Sequence, residues 1–235
     1  MSKLKINIWS DVQCPFCYIG KRHLEAALSQ NHLTDKVEIE YKSFQLNPDI
    51  PMHMPVKQNA YEYLSQIKGM SYEHSVTLHQ RVTQMAQHAG LDYHFEKTII
   101  ANSFNAHRVL QFAKTKDLGN LLEEILFKSY FTDGKNINDP ETLMEMGIEA
   151  GLTMEEVNEA LHKEEYAYKV NQDIYEARQM GISGVPFFVF DEAYAVSGAQ
   201  PVEYFTEVLQ KIISERNEPL TSQIADACKA EGECL

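Results

Sequence analysis

Basic residues are scarce: 21 Lys and Arg stand against 34 Asp and Glu, a formal net charge of −13. A surface of that sign repels phosphate backbones and anionic lipid, so nucleic acid and membranes are poor partners. No stretch approaches the ~20 consecutive apolar residues that a membrane span needs. The opening Met1-Ser2-Lys3-Leu4-Lys5-Ile6-Asn7-Ile8-Trp9 is too short and too interrupted for the apolar core of a signal peptide. These readings predict a cytoplasmic protein. Only four cysteines occur in 235 residues, so a disulfide-stapled scaffold is not expected. The nine histidines form no ligand motif, and His74 and His79, five apart, fall on different faces of a helix. There is no internal repeat and no low-complexity segment.

What is present is an ordinary globular composition, 44% hydrophobic and 23% charged, in a length that suits one large domain or a smaller one with an insertion. Lys3 to Trp9 alternates and reads as a strand; Val37 to Phe44 alternates again. Between them a helix is expected from the cysteine motif to about Gln30, burying Ile19, Leu24, Ala27 and Leu28. Strand, helix, strand implies a parallel pair. Pro48, Pro51 and Pro55 then break the pattern. From Lys57 to Met180 nearly everything reads as helix, with Tyr72–Ala89, Asn102–Lys116 and Leu118–Thr132 as separate segments. Pro140 suits a first helical position, and Thr153 with Glu156 matches a capping box. Strand character returns at Pro186–Phe190 and Ala193–Ser197, and a helix follows over Pro201–Ile213. The fold class is therefore α/β with a large all-helical insertion. Residues 1–56 and 181–216 form the two parts of the α/β domain, 57–180 the insertion, and 217–235 a mobile polar tail.

Cys14-Pro15-Phe16-Cys17 opens the first helix. Residues three apart share a helix face, so the two sulfurs can join or part without unfolding anything. Pro15 suits the first helical position and makes Cys14 the N-cap. There its sulfur should accept hydrogen bonds from the free amides of the first turn and feel the helix dipole, both of which favour the thiolate. Cys17, one turn inside and less exposed, is the natural resolving thiol. A zinc half-site would need a second pair; Cys228 and Cys234 lie in the polar tail, and no metal is expected. Two inert buried cysteines are the plain alternative. Asp11 stands close to Cys14, either opposing its ionisation or carrying protons. His107 and Arg108 lie on the third helix of the insertion. From position alone a solvated polar face is the simpler reading for His107, and a place beside the active-site groove is the functional one.

These residues resemble the DsbA family, and within it the cytoplasmic FrnE-like branch. The resemblance runs through Ser10-Asp11-Val12-Gln13-Cys14-Pro15-Phe16-Cys17-Tyr18-Ile19-Gly20, Phe44-Gln45-Leu46-Asn47-Pro48, Asn102-Ser103-Phe104-Asn105-Ala106-His107-Arg108, Gly184-Val185-Pro186-Phe187 and Val196-Ser197-Gly198-Ala199-Gln200, in family order. It implies a thioredoxin-like fold with a helical insertion and a dithiol–disulfide exchange enzyme. In that fold Cys14 is catalytic, Cys17 resolves, and Pro186 is cis with Val185 facing the Cys14 sulfur. Pro15, Phe16, Val185, Pro186 and His107 are then expected to bind protein or small-thiol substrates, with Val185 pairing like an added strand. No bound cofactor is implied, and glutathione is a candidate co-substrate. Some relatives carry a second cysteine pair near the C-terminus, to which Cys228 and Cys234 correspond. Glutathione-dependent isomerases and kappa-class transferases look similar, but carry serine where this chain has Cys14. A peptide-binding holdase is the non-catalytic alternative. The oligomeric state stays open.

Overall fold

The computed structural model describes residues 2–53 and 58–217. The chain opens with strand β1 (Leu4–Ser10), helix α1 (Pro15–Gln30) and strand β2 (Val37–Ser43), and the two strands pair in parallel from Leu4 opposite Val37 to Ser10 opposite Ser43. Helices α2 (Ala60–Lys68), α3 (Tyr72–His88), α4 (Phe104–Lys114), α5 (Gly119–Phe131), α6 (Pro140–Glu149), α7 (Met154–His162) and α8 (Glu164–Gln179) follow. The hairpin β3 (Phe187–Phe190) and β4 (Tyr194–Ser197) returns to the sheet, and α9 (Val202–Asn217) ends the described chain. Sheet order is β2-β1-β3-β4, with β3 antiparallel to β1 and to β4.

Local chemistry sets the helix starts. Asn59 with Glu62 and Thr153 with Glu156 form capping boxes, and Asp139 caps α6 ahead of Pro140. Helix α4 starts at Phe104 rather than Asn102 because the Asn102 side chain is used elsewhere. Its Oδ1 accepts the Phe104 N–H at 2.9 Å, and its Nδ2 donates to the Ile50 carbonyl at 2.6 Å. Helix α9 runs on to Asn217 rather than stopping at Ile213, and Arg216 ties its end to Asp191 and to the Ser2 carbonyl.

The sheet divides its side chains between two layers. Leu4, Ile6 and Ile8 pack with Leu24 and Leu28 of α1 and with Phe205 and Leu209 of α9. Trp9 and Val189 face the other way, onto Ala177 of α8 and Ile182, and the indole N–H of Trp9 donates to the Asp173 carbonyl at 3.1 Å. The last helix of the 57–180 segment thus serves as the outer layer of the sheet. A further core joins the helical insertion (Leu110, Leu122, Leu126, Phe127, Phe131, Leu143, Val157) to Val12, Cys14, Cys17, Tyr18 and Ile19. The insertion therefore seals the mouth of α1. Each large apolar side chain so buried stabilises the join by ~1.5–3 kcal/mol.

Candidate active site

Strand β1 delivers the chain into a tight turn that sets up the cysteines. Cys14 N–H donates to the Asp11 carbonyl at 2.8 Å, and the buried Asp11 carboxylate accepts the Gln13 N–H at 3.2 Å and the Leu46 N–H at 2.8 Å. Cys14 takes extended dihedrals at the N-cap, Pro15 is the first helical residue, and Cys17 N–H donates to the Cys14 carbonyl at 3.0 Å. Both cysteines are free thiols.

Two expectations are corrected here. The Cys14 sulfur makes no capping bond to the first-turn amides; its thiol donates instead to the Val185 carbonyl at 3.3 Å. A thiol has a proton to place, and the nearby carbonyl is a better acceptor than an amide N–H, which can only donate. Nor is Cys14 the more exposed residue: Cys14 and Cys17 are 2% and 3% exposed. The Val185–Pro186 loop covers the first from the front, and the insertion covers both from behind.

The Val185–Pro186 peptide is cis. A Cβ added at Gly20 would lie 3.1 Å from both Pro186 Cγ and the Phe188 ring, so the absent side chain lets α1 approach this loop. Val185 is half-buried, Pro186 buried, Pro15 half-buried and Phe16 exposed. The structure thus gathers Cys14, Cys17, Pro15, Phe16, Val185 and Pro186 at one place.

Behind the pair lies a sealed polar group. Cys17, one turn on, is buried beside Cys14, Asp11 and Ser10. Burial pushes the Cys17 thiol well up, the Cys14 contact adds to this, and the Asp11 amide and Ser10 work against it. Ser10 Oγ donates to Glu123 Oε1 at 2.7 Å. Burial raises the Glu123 carboxyl, and its bond from Ser10 and the nearby His107 and Lys21 charges only partly offset this. Ser10 thus stands between Cys17, whose ionisation it favours, and the Glu123 carboxyl group. Glu123, Ser10 and His107 line a cavity of about 330 Å³ together with Tyr41, Ser43, Gln111, Lys114 and Asn120.

His107 does not sit on a solvated face; it is 1% exposed, on the inner side of α4. Its Nε2 lies 3.4 Å from Asp11 Oδ1. Packing of α4 against α5 turns it inward, so it supports the motif from below and does not reach the groove. Arg108 points elsewhere, donating to the Ala160 and Lys163 carbonyls. Cys228 and Cys234 lie outside the described residues. Among the described residues no group of three or more His, Cys, Asp or Glu could hold a metal, and no helix is long and apolar enough to cross a membrane.

Glu123 and Tyr93 were not legible as site residues in the sequence. Glu123 had a signal: Gly119, Leu126 and Phe127, its neighbours at i−4, i+3 and i+4, are all buried, so a carboxylate sits on an apolar face. Tyr93, from the loop after α3, donates its hydroxyl to the Pro15 carbonyl at 2.8 Å, a contact with no local sequence cue.

A four-stranded sheet, a cysteine pair at the mouth of its first helix and a cis-proline loop over the leading sulfur define a thioredoxin-type protein with a helical insertion. The comparison with family models narrows this further: residues 5–210 match the DSBA-like thioredoxin domain, and the chain belongs to that family. A probable DsbA oxidoreductase from Streptomyces coelicolor is similar at 37% identity, with 92% of each chain covered and a TM-score of 0.85. The uncharacterized protein YwbO of Bacillus subtilis is 25% identical over 206 residues, 87% of this chain and 94% of that protein. The cytosolic disulfide reductase DsbM from Pseudomonas aeruginosa shares the fold, at 15% identity, 89% and 98% coverage and a TM-score of 0.61.

Proposed function

We propose that this protein is a dithiol–disulfide oxidoreductase of the FrnE-like branch, working in the cytoplasm on protein or small-molecule disulfides and thiols. The observation that carries the reading is the Cys14 thiol on the Val185 carbonyl, 3.3 Å away, at the N-cap of α1 with Cys17 one turn on. A thiol donates to that carbonyl and a thiolate cannot. Ionisation of Cys14 therefore frees the carbonyl to accept a backbone N–H from an extended substrate, as in strand addition. Exposed Phe16 and half-buried Pro15 flank that approach.

In the reductive direction, the Cys14 thiolate attacks one sulfur of a substrate disulfide, forms a mixed disulfide and releases the other sulfur as a thiolate, which takes a proton from solvent. The Cys17 proton moves through Ser10 to Glu123. The Cys17 thiolate then attacks the Cys14 sulfur, closes the Cys14–Cys17 disulfide and releases the second substrate thiolate. Two electrons pass from the dithiol to the substrate. Two glutathione molecules can restore the dithiol, becoming one glutathione disulfide, so no resident cofactor is required. That the DsbM protein has been solved with GSH supports glutathione as co-substrate.

Cys14→Ser should reduce turnover of a disulfide substrate to background, and Cys17→Ser should accumulate a Cys14 mixed disulfide visible as an intact-mass adduct. Turnover surviving in the Cys14 variant would overturn the assignment. Glutathione-dependent isomerisation of an aromatic substrate surviving loss of Cys17 would replace it with an isomerase or transferase. Suppression of aggregation that survives loss of both cysteines would replace it with a holdase.

A further inference from the structure

The medium around the two cysteines decides which way electrons run. In a dithiol–disulfide pair, groups that stabilise a thiolate stabilise the reduced form and make the pair an oxidant; withholding them makes it a reductant. A disulfide carries neither charge nor proton, so an apolar enclosure disfavours the thiolate and tolerates the disulfide.

Three observations put this pair on the reductant side. Both cysteines are enclosed: they are 2% and 3% exposed and share one apolar cluster with Val12, Tyr18, Ile19, Leu126 and Phe127. No first-turn amide bonds the Cys14 sulfur, whose thiol donates to the Val185 carbonyl at 3.3 Å. That bond exists only while the sulfur keeps its proton, so it favours the neutral form. The basic side chains of α1 are committed elsewhere, Lys21 to Glu25 and Asn120, Arg22 to Glu25 and Glu124, and His23 to the Gln200 carbonyl. His107 of α4 faces the Asp11 carboxylate. Two influences run the other way. The positive end of the α1 dipole lies at Cys14, and Ser10 with the Asp11 amide favours a Cys17 thiolate. At Cys17 they lose: burial first, and the Cys14 neighbour second, push that thiol well up.

We infer that electrons leave this protein: it is a disulfide reductant, whose apolar enclosure and Cys14–Val185 bond withhold the thiolate stabilisation that an oxidant needs. The inference rests on the dithiol reading above and adds the sense of the exchange. The dithiol gives two electrons and two protons to a substrate disulfide, closes as the Cys14–Cys17 disulfide and leaves two substrate thiols. Two molecules of a small thiol then reduce that disulfide and join as one disulfide of their own. A reductant of this kind turns over only beside a reaction that keeps the small-thiol pool strongly reduced. That class of reaction must supply its electrons, and its substrates are disulfides formed by oxidation.

The test equilibrates the full-length protein in buffers of graded glutathione to glutathione disulfide ratio at neutral pH. Free thiols are trapped by alkylation, and the two forms are counted by mass on the proteolytic peptide that carries Cys14 and Cys17. The pair should be more reducing than the glutathione couple, by roughly ten-fold in the equilibrium constant or about 30 mV for two electrons. A pair equally or more oxidising than glutathione overturns the inference. Linkage supplies an independent readout, because the redox form that folding favours is the form that unfolds last. In a Cys228→Ser, Cys234→Ser background, where only Cys14 and Cys17 can respond, the disulfide form should melt above the dithiol form. A dithiol form that melts at the same temperature or higher overturns the inference. Failure to form any Cys14–Cys17 disulfide refutes the dithiol reading itself, whereas a disulfide that forms and proves more oxidising than glutathione refutes only the direction.

Discussion

The two walls around the cysteine pair are made of different material. The front wall, Val185, Pro186, Pro15 and Phe16, offers backbone groups and apolar rings to whatever approaches. The back wall, Ser10, Asp11, His107 and Glu123, is ionisable and sealed. A surface that must admit varied partners is well served by backbone carbonyls and apolar contact, which are sequence-tolerant. Charges that must act on one sulfur are stronger when water is excluded. Helices α4 and α5 of the insertion bring two of those four side chains, His107 and Glu123.

Glu123→Gln breaks the comparison most severely. The amide still accepts the Ser10 hydroxyl but cannot take a proton at neutral pH. Removal of a positioned general base costs ~10²–10⁴-fold in rate, and loss through one intervening hydroxyl should lie at or below the low end. Resolution of the Cys14 mixed disulfide should therefore slow by at least ~10-fold. Stability should move the opposite way. Burial raises the folded pKa of Glu123, so the folded chain holds that proton more tightly than the unfolded chain. The resulting stabilisation is fully present below the unfolded pKa and is lost as pH rises through the folded one. The uncharged glutamine escapes that loss, so the variant should melt higher than wild type above neutral pH, with the gap closing in acid. Each kcal/mol corresponds to ~2–4 °C in a chain of this size. Equal melting curves across pH, or unchanged resolution kinetics, would show that the back wall is packing alone.

The same contrast explains what the sequence displayed. The front wall was legible because its parts are local: Pro15 at the first helical position, two cysteines one turn apart, and Val185-Pro186 just ahead of a strand. The parallel pair and the helical insertion were legible from the change of period, 2 in Leu4–Ser10 and 3.6 through α3 to α8. The back wall depends on long-range packing. Ser10 and Glu123 are 113 residues apart, and nothing near either names the other. His107 reads as half of a polar His-Arg dipeptide, and only the α4–α5 packing turns it inward while Arg108 goes to the Ala160 carbonyl. The thiol direction was also hidden, because the choice between first-turn amides and the Val185 carbonyl depends on a loop 171 residues away.

Gly20→Ala sharpens the front side of the comparison at a smaller scale. The new methyl would meet Pro186 Cγ and the Phe188 ring at 3.1 Å and the Ala199 backbone at 3.4 Å. Phe188 is fully buried against Phe205, so neither ring has free space to retreat into. Overpacking of this kind costs ~1–3 kcal/mol. A melting temperature lower by several degrees is expected, with faster alkylation of Cys14 by iodoacetamide as the Val185 carbonyl is displaced. A wild-type melting point would mean that the loop yields easily and that α1 does not define its position.

Tyr93→Phe is the mildest change and separates the insertion's packing from its chemistry. The ring stays: it stacks on Phe131 with centroids 4.7 Å apart and meets Phe95 edge-on at 5.5 Å, and phenylalanine retains both contacts. What is lost is the hydroxyl that donates to the Pro15 carbonyl at 2.8 Å. A neutral hydrogen bond contributes ~1 kcal/mol net, and half-buried Pro15 lets water replace part of it. A fall of ~2–4 °C or less is expected. Burial pushes the Tyr93 hydroxyl far above its ordinary pKa, so it stays neutral across the working range and its loss should cost the same at every pH. Glu123→Gln should instead show a stability difference that widens with pH. Melting curves for the two variants at several pH values therefore separate the two contributions of the insertion: a flat offset for a side chain that braces the motif, and a slope for one that exchanges a proton with it. A slope in the Tyr93 variant would mean that its hydroxyl is coupled to the ionisation of the cysteine pair, and would move it from bracing to chemistry.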